Sequence, residues 1–187
     1  MDMPSVLNNQ LLIAMPGMAD PNFALSVTLI CEHNDDGALG IVINRPLTLT
    51  LKGLLEQLSL DIADDEAAAA PVLDGGPVAR DRGFVLHDAG YDYESTTAVS
   101  DDIQLTLSRD VLDAIAAGRG PRRAVVALGY AGWDAGQLED EIRANSWLHV
   151  PASPELVFDV PFADRWLHAT RALGIDISKL SSDAGHA

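Results

Sequence analysis

The sequence predicts an α+β fold, in which strands come first as hairpins and single helices follow mainly later. Two observations support this: runs of Leu, Ile and Val separated by turn residues occupy the first quarter, and apolar residues at helical spacing follow. A doubly wound parallel sheet would alternate strand and helix from the start. Because the 187 residues show no apparent repeat and no Pro- or Gly/Ser-rich linker, we expect one domain over 1–187.

The first local prediction is an antiparallel hairpin over 26–44. Apolar runs at 26–32 and 38–44 flank the polar, glycine-containing turn 33–37. This hairpin would place Ile30 and Ile41 on neighbouring strands.

The other elements follow from periodicity and from end signals. Ser108 is the predicted N-cap of one helix, and Asp134 with Gln137 resembles a capping box at the start of another. The segment 61–70 is predicted to be a surface excursion, and a glycine-rich loop is predicted over 129–136. The remaining predictions are strands over 11–15, 83–87, 96–99 and 124–128, and helices over 51–58, 109–117 and 161–173.

Composition restricts the function and the compartment. Twelve Lys and Arg against 28 Asp and Glu give a net charge of −16. A field this negative opposes binding to nucleic acid and to anionic membranes. The single cysteine, Cys31, excludes an intramolecular disulfide, and no signal peptide or membrane span is recognisable, so we expect a cytoplasmic protein.

One short segment is basic although the net charge of the chain is negative. Arg119, Arg122 and Arg123 follow the apolar helix predicted over 109–117. Cations there are interpreted as complementing the helix dipole or as solvated in a turn.

The run Cys31-Glu32-His33 suggests a nucleophile beside a base, because strand alternation would put Cys31 and His33 on one face. Residues two apart on a strand have Cβ atoms about 6–7 Å apart, which is beyond direct hydrogen bonding. The alternative is a core cysteine beside a histidine that caps a turn.

No metal site or cofactor is expected. The five histidines include no i, i+4 pair, and no second cysteine completes a zinc set.

The segment Gly129–Gly136 follows a buried strand and opens a helix, as anion-binding loops do, but it lacks the dinucleotide and P-loop spacings. Asp134 would also repel phosphate, so a tight loop anchored by Trp133 is favoured over a ligand cradle.

Several motifs in order resemble the YqgE/AlgH family across nearly the whole chain. They include Leu12-Ile-Ala-Met-Pro-Gly, Cys31-Glu-His-Asn, Gly75-Gly-Pro-Val, Gly129-Tyr-Ala-Gly-Trp, Asn145-Ser-Trp-Leu and the ending Ala184-Gly-His-Ala. The resemblance implies a bacterial, cytosolic domain whose mostly antiparallel sheet bends into a pseudo-barrel flanked by helices. It implies no particular reaction. Some members carry a transcriptional-regulator label, yet no helix-turn-helix signature is found here.

The leading hypothesis is therefore a non-catalytic binding or regulatory protein that acts through a protein or small ligand. An enzyme using Cys31 or a histidine is the alternative, and direct DNA binding is least favoured. The candidate binding residues are polar or aromatic and lie near predicted loops. They are His33, Asn34, Asn44, Arg45, Arg82, Tyr130, Trp133, Gln137 and Asn145.

One spatial prediction joins part of this set. The turn at His33 and Asn34 and the loop carrying Tyr130 and Trp133 are expected to line one cleft, because loops leaving buried strands collect at sheet ends. Arg45 would add a cation there and favour an anionic ligand.

Overall fold

Residues 6–18 and 20–174 are described by the computed structural model, and their strands pair into a curled, mostly antiparallel sheet that forms a half-barrel. The ending at 184–187 lies outside the described residues. Strands in these ranges are β1 (Gln10–Ala14), β2 (Val27–Asn34), β3 (Gly37–Val42), β4 (Pro46–Thr50), β5 (Pro71–Asp74), β6 (Val78–Asp88), β7 (Thr96–Ala98), β8 (Ile103–Thr106), β9 (Ala124–Asp134) and β10 (Trp147–Pro151). Helices are α1 (Leu51–Gln57), α2 (Asp110–Ala116), α3 (Gln137–Arg143) and α4 (Arg165–Ala172), with short 3₁₀ turns at Ala67–Ala69 and Phe162–Asp164 and a π-helical turn at Glu155–Asp159.

The sheet order is β10-β1-β2-β3-β9-β6-β8-β7, and these neighbours are antiparallel. β4 and β5 branch from this path, and β5 runs parallel to β9. The α+β class, the bent sheet and the flanking helices are thus confirmed.

The predicted hairpin is confirmed as β2–β3. Thr28 pairs with Val42 and Leu29 with Ile41, so Ile30 and Ile41 lie on neighbouring strands. The turn is tighter than predicted, because the strands reach Asn34 and resume at Gly37. A register shift between Ile30 and Glu32 makes Cys31 a β-bulge.

The glycine-rich segment is not the predicted loop, because β9 continues through it to Asp134. Gly129 has φ +82°, and the side-chain alternation changes there. Val125 and Ala127 belong to a core cluster with Leu29 and Phe84, and Tyr130 packs against the same cluster. Regular alternation would put Tyr130 on the face opposite Ala127. The strand therefore continues through a local distortion that a glycine allows.

In the described part of the chain, three clusters of buried residues make the core. The first joins β1, β2, β3, β6 and β8 to the segment 155–173 and includes Leu29 and Phe84. The second lies beneath α1 and α2, and the third lies beneath α3 around Trp133 and Trp147. Helices thus cover the sheet on both sides.

The predicted helices occur, but their ends differ. Arg109 precedes α2 and no side chain caps it. The Ser108 hydroxyl is used elsewhere: it accepts the Ser95 N–H at 2.9 Å and donates to Asp110 Oδ1. At α3, Gln137 Oε1 accepts the Asp134 N–H at 2.9 Å, so half of the predicted capping box is present.

Candidate binding cleft on the sheet face

An open cleft of about 480 Å³ lies where β2, β3 and β9 run side by side. We call it the sheet-face cleft. Its lining combines apolar and acidic residues, among them Leu39, Val78, Tyr130, Glu32, Asp36 and Asp134.

The strand register explains the shape of this cleft. Glu32 pairs with Leu39, and Leu39 pairs with Gly132, so all three positions share one face. A Cβ at position 132 would lie 3.3 Å from Cε2 of Tyr130, so the glycine leaves room for the phenol ring. Phe84 supports that ring in an edge contact at 5.5 Å. Tyr130 therefore forms a fixed wall.

The lining is negatively charged. Glu32, Asp36 and Asp134 supply three carboxylates, and no Lys, Arg or His borders the cleft among the residues that the structure describes. Exposed Val78 lies beside them. Such a surface attracts cationic groups that also carry apolar parts.

The shared-cleft prediction is correct for some residues and wrong for others. Asn34, Tyr130 and Trp133 do border one cleft, but the Trp133 indole packs beneath α3 on the opposite face and is not the predicted wall. Asn34 also shapes its edge, since its Oδ1 accepts the Asp36 N–H at 2.8 Å. His33 projects to the opposite face, and Arg45 borders a different cleft, so the expected cation is replaced by carboxylates.

His33 is buried between the N-terminal segment and α3. Its Nδ1 accepts the Leu7 N–H at 2.9 Å, so the ring proton is on Nε2, which lies 2.7 Å from Glu139 Oε1. Both nitrogens are therefore engaged in contacts within the protein. His33 thus holds two segments against the sheet.

Trp133 and Gln137 meet at a residue that sequence reasoning missed. The Trp133 and Trp147 indoles both donate to Glu141 Oε1 at 3.0 Å, and Gln137 Nε2 donates to Oε2 at 2.8 Å. The two rings lie 6.1 Å apart and edge-on. The sequence signal for this residue was an acidic side chain on a predicted helix that lies between two tryptophans, Trp133 and Trp147.

Asn44 and Arg45 organise the segment before β2. Asn44 accepts the Val27 N–H at 2.9 Å and donates to the Leu25 carbonyl at 3.0 Å. Arg45 donates to the carbonyls of Asn22 and Ala24. This segment includes Leu25 at φ +55°, a conformation that needs such support.

The two remaining candidates have separate positions. The Arg82 guanidinium lies 5.9 Å from the centre of the Phe84 ring, which in turn contacts Tyr130. Asn145 has φ +61° just after α3, where Asn tolerates the left-handed region better than most residues do. The nine candidates thus divide between the cleft border and the contacts that hold its surroundings.

The nucleophile hypothesis finds no geometric support. Because Cys31 is a bulge, it packs in the first core cluster, whereas His33 contacts Leu7 in the third. Only 4% of Cys31 is exposed. Burial, and then the charge of Glu32, raise the pKa of its thiol, which opposes the reactive thiolate.

His87 is a second buried histidine, and its network was not foreseen. Its ring nitrogens contact the Asp88 carbonyl at 2.8 Å and the Thr106 hydroxyl at 2.7 Å. Tyr91 and Tyr93 stack on each other and meet the ring edge-on. Burial lowers the pKa of His87, so the neutral ring is favoured.

The two glycine motifs pack against each other, backbone to backbone. The Gly75 N–H donates to the Leu128 carbonyl at 2.8 Å. A Cβ at Gly76, where φ is +152°, would lie 2.2 Å from the carbonyl carbon of Tyr130. These glycines are required for close approach behind the Tyr130 wall.

Two features are absent from the described residues. Within 6–18 and 20–174, no three His, Cys, Asp or Glu side chains are grouped as metal ligands. In the same ranges, no helix has both the length and the apolar character needed to cross a bilayer.

Known proteins similar to this chain extend the sequence resemblance. A family model described as AlgH-like matches residues 11–178. A UPF0301 protein of Cupriavidus metallidurans is 54% identical over 184 residues, covering 98% of this chain and 97% of the relative. A UPF0301 protein of Nitrosococcus oceani is 49% identical over 179 residues, covering 96% of each chain.

Solved structures agree in fold. The solution structure of the AlgH protein from Pseudomonas aeruginosa is 48% identical, has a TM-score of 0.80 and covers 100% of this chain and 99% of its own. A crystal structure from Corynebacterium diphtheriae, at 20% identity and a TM-score of 0.76 over 96% and 93% of the two chains, shares the fold. Since the family model and these relatives span almost the full sequence, the chain belongs to the AlgH-like family.

Proposed function

We propose that this chain is a non-catalytic binding protein of the cytoplasm that regulates through a protein partner, and that a basic segment of the partner docks in the sheet-face cleft. The observation that carries the proposal is the lining: three carboxylates beside exposed Val78 and the fixed ring of Tyr130. Lys and Arg side chains have apolar stems and charged heads, which match such a surface.

The reactive groups support binding over catalysis. Cys31 is buried, and both ring nitrogens of His33 and of His87 are engaged by neighbouring protein groups. A catalytic cysteine must be reachable and partly ionised. No observation on the cleft favours a particular reaction.

The charge supports an indirect regulatory role. A net charge of −16 and an acidic cleft repel phosphates, so a regulator of this kind would act through another protein. This reconciles the regulatory label of the family resemblance with a surface unsuited to DNA.

The test uses three bait proteins: the wild type, a cleft variant and a matched control variant. It compares the partner proteins that each bait captures from the native cytoplasm. The cleft variant carries Glu32→Lys and Asp134→Lys. The matched control carries Glu56→Lys and Asp101→Lys, which change exposed acids away from the cleft by the same total charge. Mass spectrometry should find a protein that wild type and control retain and that the cleft variant loses.

Two results would contradict the proposal. The first is that every protein captured by the wild type is also captured by the cleft variant. The second is a mobility shift of bare DNA by micromolar protein at low salt, which would restore direct DNA binding. The captured partner should also dissociate as salt rises, because screening weakens contacts between charges.

A further inference from the structure

A second, more enclosed cleft of about 300 Å³ lies between the end of α2, the segment 61–71 and the start of β9. Leu51, Ile115, Val126 and Phe162 supply apolar walls. Its size is at the lower end of small-molecule sites. It shares no lining residue with the sheet-face cleft, so the two can be tested separately.

The walls are held in place before any ligand arrives. The buried Arg165 guanidinium lies 4.5 Å from the centre of the Phe162 ring, and its Nε and Nη1 donate to the carbonyls of Val160 and Ile43. On the other side, the Ala63 N–H donates to the Ala116 carbonyl at 2.8 Å and ties the 61–71 segment to α2. A preformed site spends less free energy on ordering when it binds.

Arg122 is the cation that borders this cleft. Its main chain is fixed, because its N–H donates to the Tyr91 hydroxyl at 3.1 Å. The next residue, Arg123, is paired with Asp159 at 3.3 Å, whereas Arg122 has no carboxylate within 4.0 Å in the described part of the chain. In a protein with 28 acidic residues, an unpaired arginine beside an apolar cleft is available to an incoming anion.

Asp64 is the acid that borders the same cleft. Its Oδ1 accepts the N–H groups of Glu66 at 3.1 Å and Ala67 at 3.2 Å, so part of its charge is offset by backbone donors. Asp64 thus caps the 3₁₀ turn at Ala67–Ala69. Because its remaining negative charge repels anions, the anionic head of a ligand is favoured at the Arg122 side of the cleft.

We infer that this cleft binds a small organic anion, with a compact apolar body in the pocket and a carboxylate or sulfonate head at Arg122. The basic segment interpreted above as complementing a helix dipole would then recognise a ligand. α2 ends at Ala116, before any of these arginines, which leaves Arg122 free for that role.

Two fluorescent probes test separately whether the cleft binds the anionic head and the apolar body of a ligand. 8-Anilinonaphthalene-1-sulfonate carries a sulfonate, and N-phenyl-1-naphthylamine has nearly the same rings without it. In titrations of the full chain, Arg122→Gln should weaken binding of the sulfonate about tenfold, as expected for losing a charge-assisted hydrogen bond, and leave the neutral probe unchanged. Arg143→Gln on α3 removes the same charge elsewhere and should change neither.

A second variant tests the pocket itself. Ala67 borders the cleft and is exposed, so Ala67→Trp should fill the space without disturbing the core and should abolish saturable binding of both probes. Unchanged sulfonate affinity in Arg122→Gln, an equal loss in Arg143→Gln, or full binding in Ala67→Trp would each overturn the inference. Asp64→Asn should tighten sulfonate binding, because it removes a repulsive charge.

Discussion

His33 on β2 and Glu139 on α3 lie 106 residues apart in sequence, and their Nε2 and Oε1 atoms are 2.7 Å apart. Because His33 Nδ1 accepts the Leu7 N–H, the ring proton is on Nε2, which donates a hydrogen bond to the Glu139 carboxylate. This contact fixes α3 on the face of the sheet opposite the sheet-face cleft. It therefore supports the strands whose other face forms the cleft lining.

The first prediction concerns this contact. Glu139→Ala should lower the free energy of unfolding by about 1–2 kcal/mol, because the buried His33 N–H loses its acceptor. Glu139→Gln keeps an acceptor oxygen and should cost less. Urea unfolding of both variants, with exposed Glu56→Gln as the control, measures the difference. Equal losses for the Ala and Gln variants would contradict the assigned hydrogen bond.

The second prediction concerns Glu141, which accepts from both indoles beneath α3. Glu141→Ala leaves two buried N–H groups without an acceptor and should cost about 2–6 kcal/mol, at about 1–3 kcal/mol for each orphaned donor. Tryptophan fluorescence should shift as the packing of Trp133 and Trp147 loosens. Asp140→Ala, one residue away and exposed, should leave stability and spectrum nearly unchanged.

Local patterns in the sequence predicted most of the fold, but they predicted neither the strands β4, β5 and β10 nor the two distortions. The hairpin and the helices follow from apolar spacing, which is a property of neighbouring residues. The bulge at Cys31 and the continuation of β9 through Gly129 depend on pairing with distant strands. A glycine-rich run is typical of loops, so the extension of β9 could not be read from composition.

The site was harder to predict than the fold for the same reason. One bulge reverses the face of every later residue in a strand, which is why His33 left the expected cleft and Glu32 entered it. The contacts of Glu139 and Glu141 join elements far apart in sequence. Asn34 and Tyr130 do border the cleft, but each follows one of the two distortions, so the faces that regular alternation assigns to them do not explain this.

The third prediction is a pH dependence at His87. Its pKa is lowered in the folded protein, so between that value and the unfolded value of about 6.5 the unfolded state binds more protons. The neutral His87 ring therefore contributes its full stabilisation of the folded state above about pH 6.5. This contribution is lost as the pH falls through the pKa of His87 in the folded protein. His87→Gln does not titrate there, so the melting-temperature difference between wild type and variant should shrink from pH 7.5 to 5.5.

A variant at a position that does not titrate controls this comparison. Thr97→Ala, at an exposed position on β7, should show an offset from the wild type that stays constant over the same pH range. If the wild type and His87→Gln keep a constant difference, protonation of His87 does not contribute to acid destabilisation.

The fourth prediction concerns the pairing of the glycine motifs. Gly76→Ala should cost about 2–5 kcal/mol, because the new Cβ meets the Tyr130 main chain and the backbone conformation is unfavourable for alanine. Gly136→Ala, at φ +76° with open space around it, should cost only about 1–2 kcal/mol. Thermal melts compare the two. Similar losses would show that the close approach at Gly76 is relaxed in solution.

The last prediction separates a binding protein from an enzyme that uses Cys31. Since Cys31 is the chain's single cysteine, a disulfide reagent such as 5,5′-dithiobis(2-nitrobenzoate) reports on this residue alone. Burial raises its thiol pKa, so the native protein at pH 8 should release almost no thionitrobenzoate, and denaturant should release one equivalent. Cys31→Ser should release none under either condition, and Cys31→Ala should fold with a modest loss of stability. A native thiol that reacts as fast as free cysteine would place Cys31 at the surface and revive the nucleophile hypothesis.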